Sequence, residues 1–263
     1  MTTTNKLHQV SIVSLAFVAL VAAPVFGQKA KVKPNQPTKT MHTLELISHP
    51  LCPYNQRCVI TLLEKGLERN KDFTVTYVDL GNLPEWFLKI SPNKSFPVLK
   101  VNDEVVLLKT TPINEFLNET TPGSLHSDDA IQKAKDRYWV EYASGPLDAM
   151  RDVYVAKDKE AMNKALAKVF TFLEPIERAL EEKPNYFHGN KFTLVDGAYA
   201  PLFKLMFQFE SNCNAPQWTG LPKTKQWATH LVSLEVTQKS ACPEYSKEFN
   251  HFFEVFDSYF PKQ

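Results

Sequence analysis

Residues 120–126, TTPGSLH, separate two stretches whose apolar residues repeat with different periods. That change constrains the fold more than any single motif. Upstream, the pattern switches type every few residues. Leu44 to Ser48 (LELIS) is a short strand signal closed by His49-Pro50. Residues 54–65 carry Cys58, Ile60, Leu62 and Leu63 at helical spacing and stop at Gly66, a suitable helix C-terminus. Residues 73–78 (FTVTYV) alternate as a strand, and 84–90 (PEWFLKI) suit a short helix with proline in its first turn. Residues 96–100 and 104–108 then predict two strands joined at Asn102-Asp103, and 110–119 return to helical spacing through Ile113, Phe116 and Leu117. The order βαβαββα is a single α/β layer. Downstream, everything reads helical. A long amphipathic stretch runs over 128–155, loosened by Gly145-Pro146, and a second over 158–182. A third opens at Phe192-Thr193-Leu194-Val195-Asp196, where Thr193 is the expected N-cap and Asp196 reaches back as in a capping box. Weaker helical patterns follow near 223–234 and 243–257. The predicted class is α/β plus all-α, with one domain over 42–120 and an all-helical one over 127–263.

The first residues read as an address rather than as fold. Lys6 and His8 precede an apolar run from Val10 to about Phe26, and Val25 and Gly27 suit the minus-three and minus-one positions of a signal-peptidase site. The run is short for a membrane span, which needs roughly 20 apolar residues. A signal peptide over 1–27 is therefore expected, with an uncleaved N-terminal anchor as the alternative. Residues 28–41 are polar, basic and proline-containing, as in a flexible linker. Export to a periplasmic or secreted location follows, or a cytoplasmic one if the protein starts at Met41.

Charge and composition narrow the partners. The formal net charge is +1, without the clustered basic charge of a nucleic-acid surface. The seven histidines show no paired ligand spacing, and no HExxH or CxxC…CxxC pattern occurs, so no metal is expected. Four cysteines in an exported chain raise the question of disulfides. Cys52 and Cys58 are a poor pair: on one helix they stand roughly 9 Å apart, against a limit of about 7 Å. Cys213 and Cys242, both in loop-like stretches, are the better candidates.

The chemistry centres on Cys52-Pro53-Tyr54-Asn55-Gln56-Arg57. A cysteine just after a strand and loop, at the first turn of a helix, meets free backbone N–H groups and the positive end of the helix dipole. Both favour a thiolate, the nucleophilic form. Asn55 stands where a CxxC redox pair has its second cysteine. A one-cysteine site needs an external thiol to resolve its mixed disulfide. The plain alternative for Cys52 is a small buried residue.

With Phe96-Pro97-Val98-Leu99, Pro84-Glu85-Trp86-Phe87 and Glu115-Phe116-Leu117-Asn118-Glu119, this stretch resembles the N-terminal domain of glutathione transferases. It is most similar to the omega and related cysteine-type classes. Thr193-Leu194-Val195-Asp196 resembles the N-capping signature of the family's helical domain. The resemblance implies a thioredoxin-like domain docked on a helical bundle. It also implies glutathione as co-substrate, and a thioltransferase or glutathione-dependent reductase activity. Cys52 would be the catalytic residue, forming a mixed disulfide with glutathione. A cis-proline at Pro97 would face it, and Phe96 and Val98 would offer backbone to the tripeptide. Tyr54, Arg57, Lys109 and Thr110 complete the implied glutathione site, with Thr110 donating to the α-carboxylate. Two positions depart from the pattern. Lys109 stands where the family has an acidic residue, and Leu83 where omega proteins have a lysine for the glycine carboxylate. Each lost charged contact weakens binding by about 1–3 kcal/mol.

Trp139, Tyr142 and Phe207 are the candidates for a co-substrate pocket, with the helical core as their plain alternative. The partner would be a small disulfide or an electrophile, and a homodimer is possible within the family. Two other readings stay open. One is a non-catalytic or regulatory binding protein that kept the fold. The other is an exported redox protein using another small thiol.

Overall fold

The computed structural model describes residues 42–212, 218–255 and 258–259. The expected signal peptide, the linker and Cys213 lie outside the described residues, and so does the Cys213–Cys242 pairing. Strand β1 (Leu44–Ser48) leads into helix α1 (Pro53–Glu64), β2 (Thr74–Tyr77), α2 (Glu85–Ile90), β3 (Val98–Val101), β4 (Val105–Leu108) and α3 (Thr110–Thr120). The sheet order is β2-β1-β3-β4, with β1 parallel to β2 and the other pairs antiparallel. The βαβ crossover through α1 is what permits the parallel pair. Asn102 and Asp103 both take positive φ, 53° and 60°, in the three-residue connection between β3 and β4. Asn and Asp are the residues that tolerate this conformation best after glycine.

Strand alternation sorts the apolar side chains onto two faces. Leu44 and Leu46 pack with Cys58, Val59 and Leu62 of α1 and Ile113 and Leu117 of α3. Ile47 points the other way, into a small cluster with Val78, Phe87 and Val98. The α/β half is therefore three layers thick, with α1 and α3 on one face and α2 on the other.

The helical half comprises α4 (Ala130–Tyr142), α5 (Ser144–Tyr154), α6 (Lys159–Thr171), α7 (Glu174–Ala179), α8 (Leu194–Asn212), α9 (Pro222–Ser233), α10 (Glu235–Lys239) and α11 (Tyr245–Val255). Each of the two long amphipathic stretches is split. The splits follow proline, whose ring clashes with the carbonyl four residues earlier and whose nitrogen donates nothing. Helix α4 ends at Tyr142, four before Pro146, and α6 at Thr171, four before Pro175. Gly145 suits the first split, since a Cβ there would stand 3.1 Å from the Phe172 ring, a tight contact.

Asp196 organises the start of α8. Its Oδ2 accepts from the Thr193 amide at 2.8 Å and the Thr193 hydroxyl at 2.9 Å. Its Oδ1 accepts from the Phe187 amide at 2.7 Å and the Trp227 indole at 2.8 Å. The expected cap is thus present, and it also fastens the 186–189 turn and α9 to α8. The two halves meet along α1, whose Ile60 belongs to the helical core while its neighbours face the sheet. Among the described residues, no helix is long and apolar enough to cross a membrane.

Candidate functional site

Cys52 is the N-cap of α1. Its amide donates to the His49 carbonyl at 3.1 Å, closing the turn out of β1, and its Sγ accepts from the Asn55 amide at 3.4 Å. Pro53 follows at the first helical position, where a missing N–H costs nothing. The sulfur therefore occupies the place a Ser or Asp oxygen takes in an ordinary cap.

The thiol is also buried, with 3% of its surface exposed. Burial pushes its pKa up. The Ser48 hydroxyl, the Asn55 and Tyr54 amides and the Arg57 charge oppose that shift without overcoming it. Desolvation, which penalises the charged form, is the largest of these effects. Cys58, further along α1, faces the sheet, and its pKa is also pushed up by burial. Cys52, Cys58 and Cys242 are all free and buried.

Around the thiol the expected residues divide. The Phe96–Pro97 bond is cis. The Phe96 ring stacks on Phe87 at 4.7 Å and meets the His49 ring edge-on at 5.4 Å. Val98 pairs with Ile47 on one side and Leu108 on the other, so its backbone groups are taken up inside the sheet. Phe96, outside any strand, makes no backbone hydrogen bond to another described residue. Of the two, Phe96 is the one with peptide groups free for an extended ligand, a correction to the role expected of Val98.

Lys109 is exposed and lies at φ 72°, ψ 140°, ahead of α3, whose N-terminus has no side-chain cap. Positive φ is unfavourable for a side-chain-bearing residue, and such strain clusters at ligand sites. Thr110, the first residue of α3, is buried at 8% exposure, and no described residue engages its hydroxyl.

Arg57 is engaged within the protein. It is 2% exposed, donates from Nη2 to the Ala143 carbonyl at 2.8 Å, and lies 5.0 Å over the Tyr54 ring. Helical periodicity explains this: Arg57 is more than a full turn from Cys52 and points at the α4–α5 break, whose carbonyls need donors. Tyr54 is half-buried and directs its hydroxyl to Asp148 of α5 at 2.5 Å. Burial and the Asp148 carboxylate both push its pKa up. These two residues tie the start of α1 to the helical half.

The three aromatic candidates do not form one wall. Trp139 and Tyr142 touch each other at 5.6 Å and pack on the helical core, Trp139 against Phe187 and Tyr142 against Phe172. Phe207 instead meets Trp218 at 5.5 Å. The helical-core reading is the one this packing fits.

Sequence reasoning missed Ser48, Gln56, Tyr77 and Asp148. Ser48 Oγ, Gln56 Nε2 and Tyr77 OH are buried with no hydrogen-bond partner of ordinary geometry. Gln56 receives the Ser240 hydroxyl at 3.4 Å, and Arg69 holds the Ser240 and Ala241 carbonyls at 3.1 Å each. The loop before α11 is thereby clasped over β2 and α1. The i−4 position of Ser48 before Cys52 was a signal available in the sequence; the partners from residues 240–245 were not, being set by tertiary packing.

A cavity of about 710 Å³ lies elsewhere, lined by His42, Lys65, Asn70, Phe73, Lys100 and Thr121 among others. It sits at the opposite end of β1 and contains none of the site residues above. Among the described residues, no group of three or more potential metal ligands gathers.

A mixed four-stranded sheet with a cis-proline beside a helix-capping cysteine, docked on a helical bundle, is a thioredoxin-like domain with a helical partner. The family model for the glutathione S-transferase N-terminal domain matches residues 46–125, and that for the C-terminal domain matches 130–235. The chain belongs to the glutathione S-transferase family. It is 27% identical over 194 residues to glutathione S-transferase omega-1 of the pig, Sus scrofa, covering 72% of this chain and 76% of that one. Rice GST1 in complex with glutathione superposes with a TM-score of 0.69 at 23% identity, covering 82% and 97% of the two chains. Glutathione transferase Omega 3C of Trametes versicolor gives 0.65 at 23% identity, covering 77% and 90%.

Proposed function

We propose that this protein is a glutathione-dependent thioltransferase or reductase in which Cys52 carries the glutathionyl group. The observation that supports this most is the position of the Cys52 sulfur, which takes the place of the capping atom at α1 and accepts from the Asn55 amide. A sulfur so placed gains as an anion and has no second cysteine at the next turn to resolve it.

The chemistry balances with one external thiol. The Cys52 thiolate attacks the glutathionyl sulfur of a mixed disulfide. A Cys52–glutathione disulfide forms, the substrate S–S bond breaks, and the substrate sulfur leaves as a thiolate that takes a proton from solvent. A second glutathione thiolate then attacks the glutathionyl sulfur, releasing glutathione disulfide and restoring the Cys52 thiolate. The free peptide groups of Phe96 suit the cysteinyl part of the tripeptide. The Thr110 hydroxyl and the uncapped amides of α3 suit the γ-glutamyl carboxylate. Approach of the ligand sulfur must accompany some opening around Cys52, because the thiol is buried at rest.

A second reading has a specific observation in its favour. Burial pushes the Cys52 pKa up, and Lys109 puts a positive charge where the ligand's ammonium would lie. Both suit a binding protein that kept the fold and lost transfer. Glutathione-dependent reduction of a small mixed disulfide, compared between the protein and its Cys52→Ser variant, separates the two. Turnover lost in the variant is the expected result; no turnover in either protein overturns the enzymatic reading.

A further inference from the structure

We propose that Ser48 is a positioning residue for this reaction, donating its hydroxyl hydrogen to the Cys52 sulfur and holding it as the attacking anion. The proposal rests on the reading of Cys52 as the transfer residue. The geometry begins with strand alternation. Leu44 and Leu46 of β1 face α1, Ile47 faces α2, and the period of two puts Ser48 on the α1 side. Ser48 is also the last residue of β1, level with the turn that delivers Cys52 to the start of α1. Strand end and helix start thus place Ser48 and Cys52 at the same end of β1 and α1, where the Ser48 hydroxyl favours the Cys52 thiolate.

The surroundings leave that hydroxyl no other use. Ser48 is 0% exposed, and its Oγ makes no hydrogen bond of ordinary geometry. Its own carbonyl is already engaged, by the Val78 amide at 2.8 Å. A buried hydroxyl without a partner is unfavourable in a folded protein, and its presence calls for a reason. A neutral thiol is a weak acceptor and a thiolate a strong one. The missing bond is therefore one that forms in full only when Cys52 ionises.

Other groups near the sulfur are less suited. From α1, the Asn55 amide donates at 3.4 Å, while Arg57 is fastened to the Ala143 carbonyl and Cys58 turns to the sheet. From β2, Tyr77 senses the Cys52 charge as an unfavourable one, and Arg69 is its own polar neighbour. The Ser48 hydroxyl, the Asn55 and Tyr54 amides and the Arg57 charge all favour the thiolate.

The test reads Cys52 ionisation without requiring glutathione. The pH dependence of iodoacetamide alkylation is followed at Cys52 by mass spectrometry, in the full-length protein and in Ser48→Ala, Ser48→Thr and Ser48→Val. Thr and Val differ by a hydroxyl for a methyl, so packing effects cancel between them. The expected result is a midpoint moved to higher pH in the Ala and Val variants, with the rate at pH 7 down about tenfold and Thr close to the parent. Superimposable Thr and Val profiles would overturn the proposal. A hydroxyl-dependent profile in a protein without thioltransfer would sink the proposed reaction and leave Ser48 as the thiol's partner.

Discussion

The starts of α1 and α8 are each built around a side chain that accepts from a backbone amide three residues away. At α8 the acceptor is Asp196, fully buried, and both of its oxygens are filled by two amides, a hydroxyl and an indole. At α1 the acceptor is the Cys52 sulfur, with the Asn55 amide at 3.4 Å. Around it lie buried polar atoms without ordinary partners, on Ser48, Asn55, Gln56 and Tyr77. One helix start is closed and complete, while the other keeps unused hydrogen-bonding capacity beside a reactive atom. Complete satisfaction stabilises; incomplete satisfaction leaves room for a charge or a ligand to supply what is missing. The difference teaches where stability and chemistry are divided in this fold.

Breaking the complete end has the largest expected effect. Asp196→Ala leaves the Trp227 indole and the Phe187 and Thr193 amides unpaired in the core, and urea denaturation is expected to show a loss of about 4 kcal/mol. A loss under 1 kcal/mol would mean the cap is not the organiser described above.

The second effect concerns His49, beside Phe96 at the open end. Burial lowers its pKa to about 4, below the roughly 6.5 of an unfolded chain. The unfolded state therefore binds the proton first as pH falls. Stability is full above about pH 6.5 and declines toward pH 4, by up to about 3 kcal/mol. Thermal unfolding across that range should show the decline, and His49→Gln should flatten the part due to this residue.

Smaller effects sharpen the contrast. Tyr54→Phe removes the bond to Asp148 that ties the start of α1 to α5, with an expected cost of about 2 kcal/mol in denaturant. Lys109→Glu keeps the strained backbone and reverses the charge at α3. Calorimetric titration should then show glutathione binding strengthened about tenfold, or about 1.4 kcal/mol. Unchanged affinity would remove Lys109 from the ligand site.

Much of this architecture was legible in the sequence because local rules decide it. The six strands and helices before α3 follow from alternation, Gly66 and the Asn102-Asp103 turn, and the Thr193–Asp196 pair marks the start of α8. The long amphipathic stretches were harder. Residues 128–155 showed a loosening at Gly145-Pro146 and 158–182 showed none, yet Pro146 and Pro175 remove one backbone bond each and split both. The candidate site was legible at Cys52, at Phe96 with the cis-proline, and at Thr110. Arg57 reads as a natural partner for an anion, but one more turn of helix carries it under Tyr54. Trp139, Tyr142 and Phe207 share a helical spacing with any core aromatic. Ser48 stands four residues before Cys52 and was open to a sequence reading, whereas residues 240–242 meet the site through tertiary packing, which no window of sequence reveals.

The central claim is that Cys52, the incompletely capped helix start, is the sulfur that carries glutathione. The most direct test is to incubate the protein with glutathione disulfide and locate the adduct by peptide mass spectrometry, since Cys58 and Cys242 are also free thiols. One glutathionyl group on Cys52, removed by added glutathione, is the predicted result. A glutathionyl group on Cys58 or Cys242 with Cys52 unmodified would contradict the account.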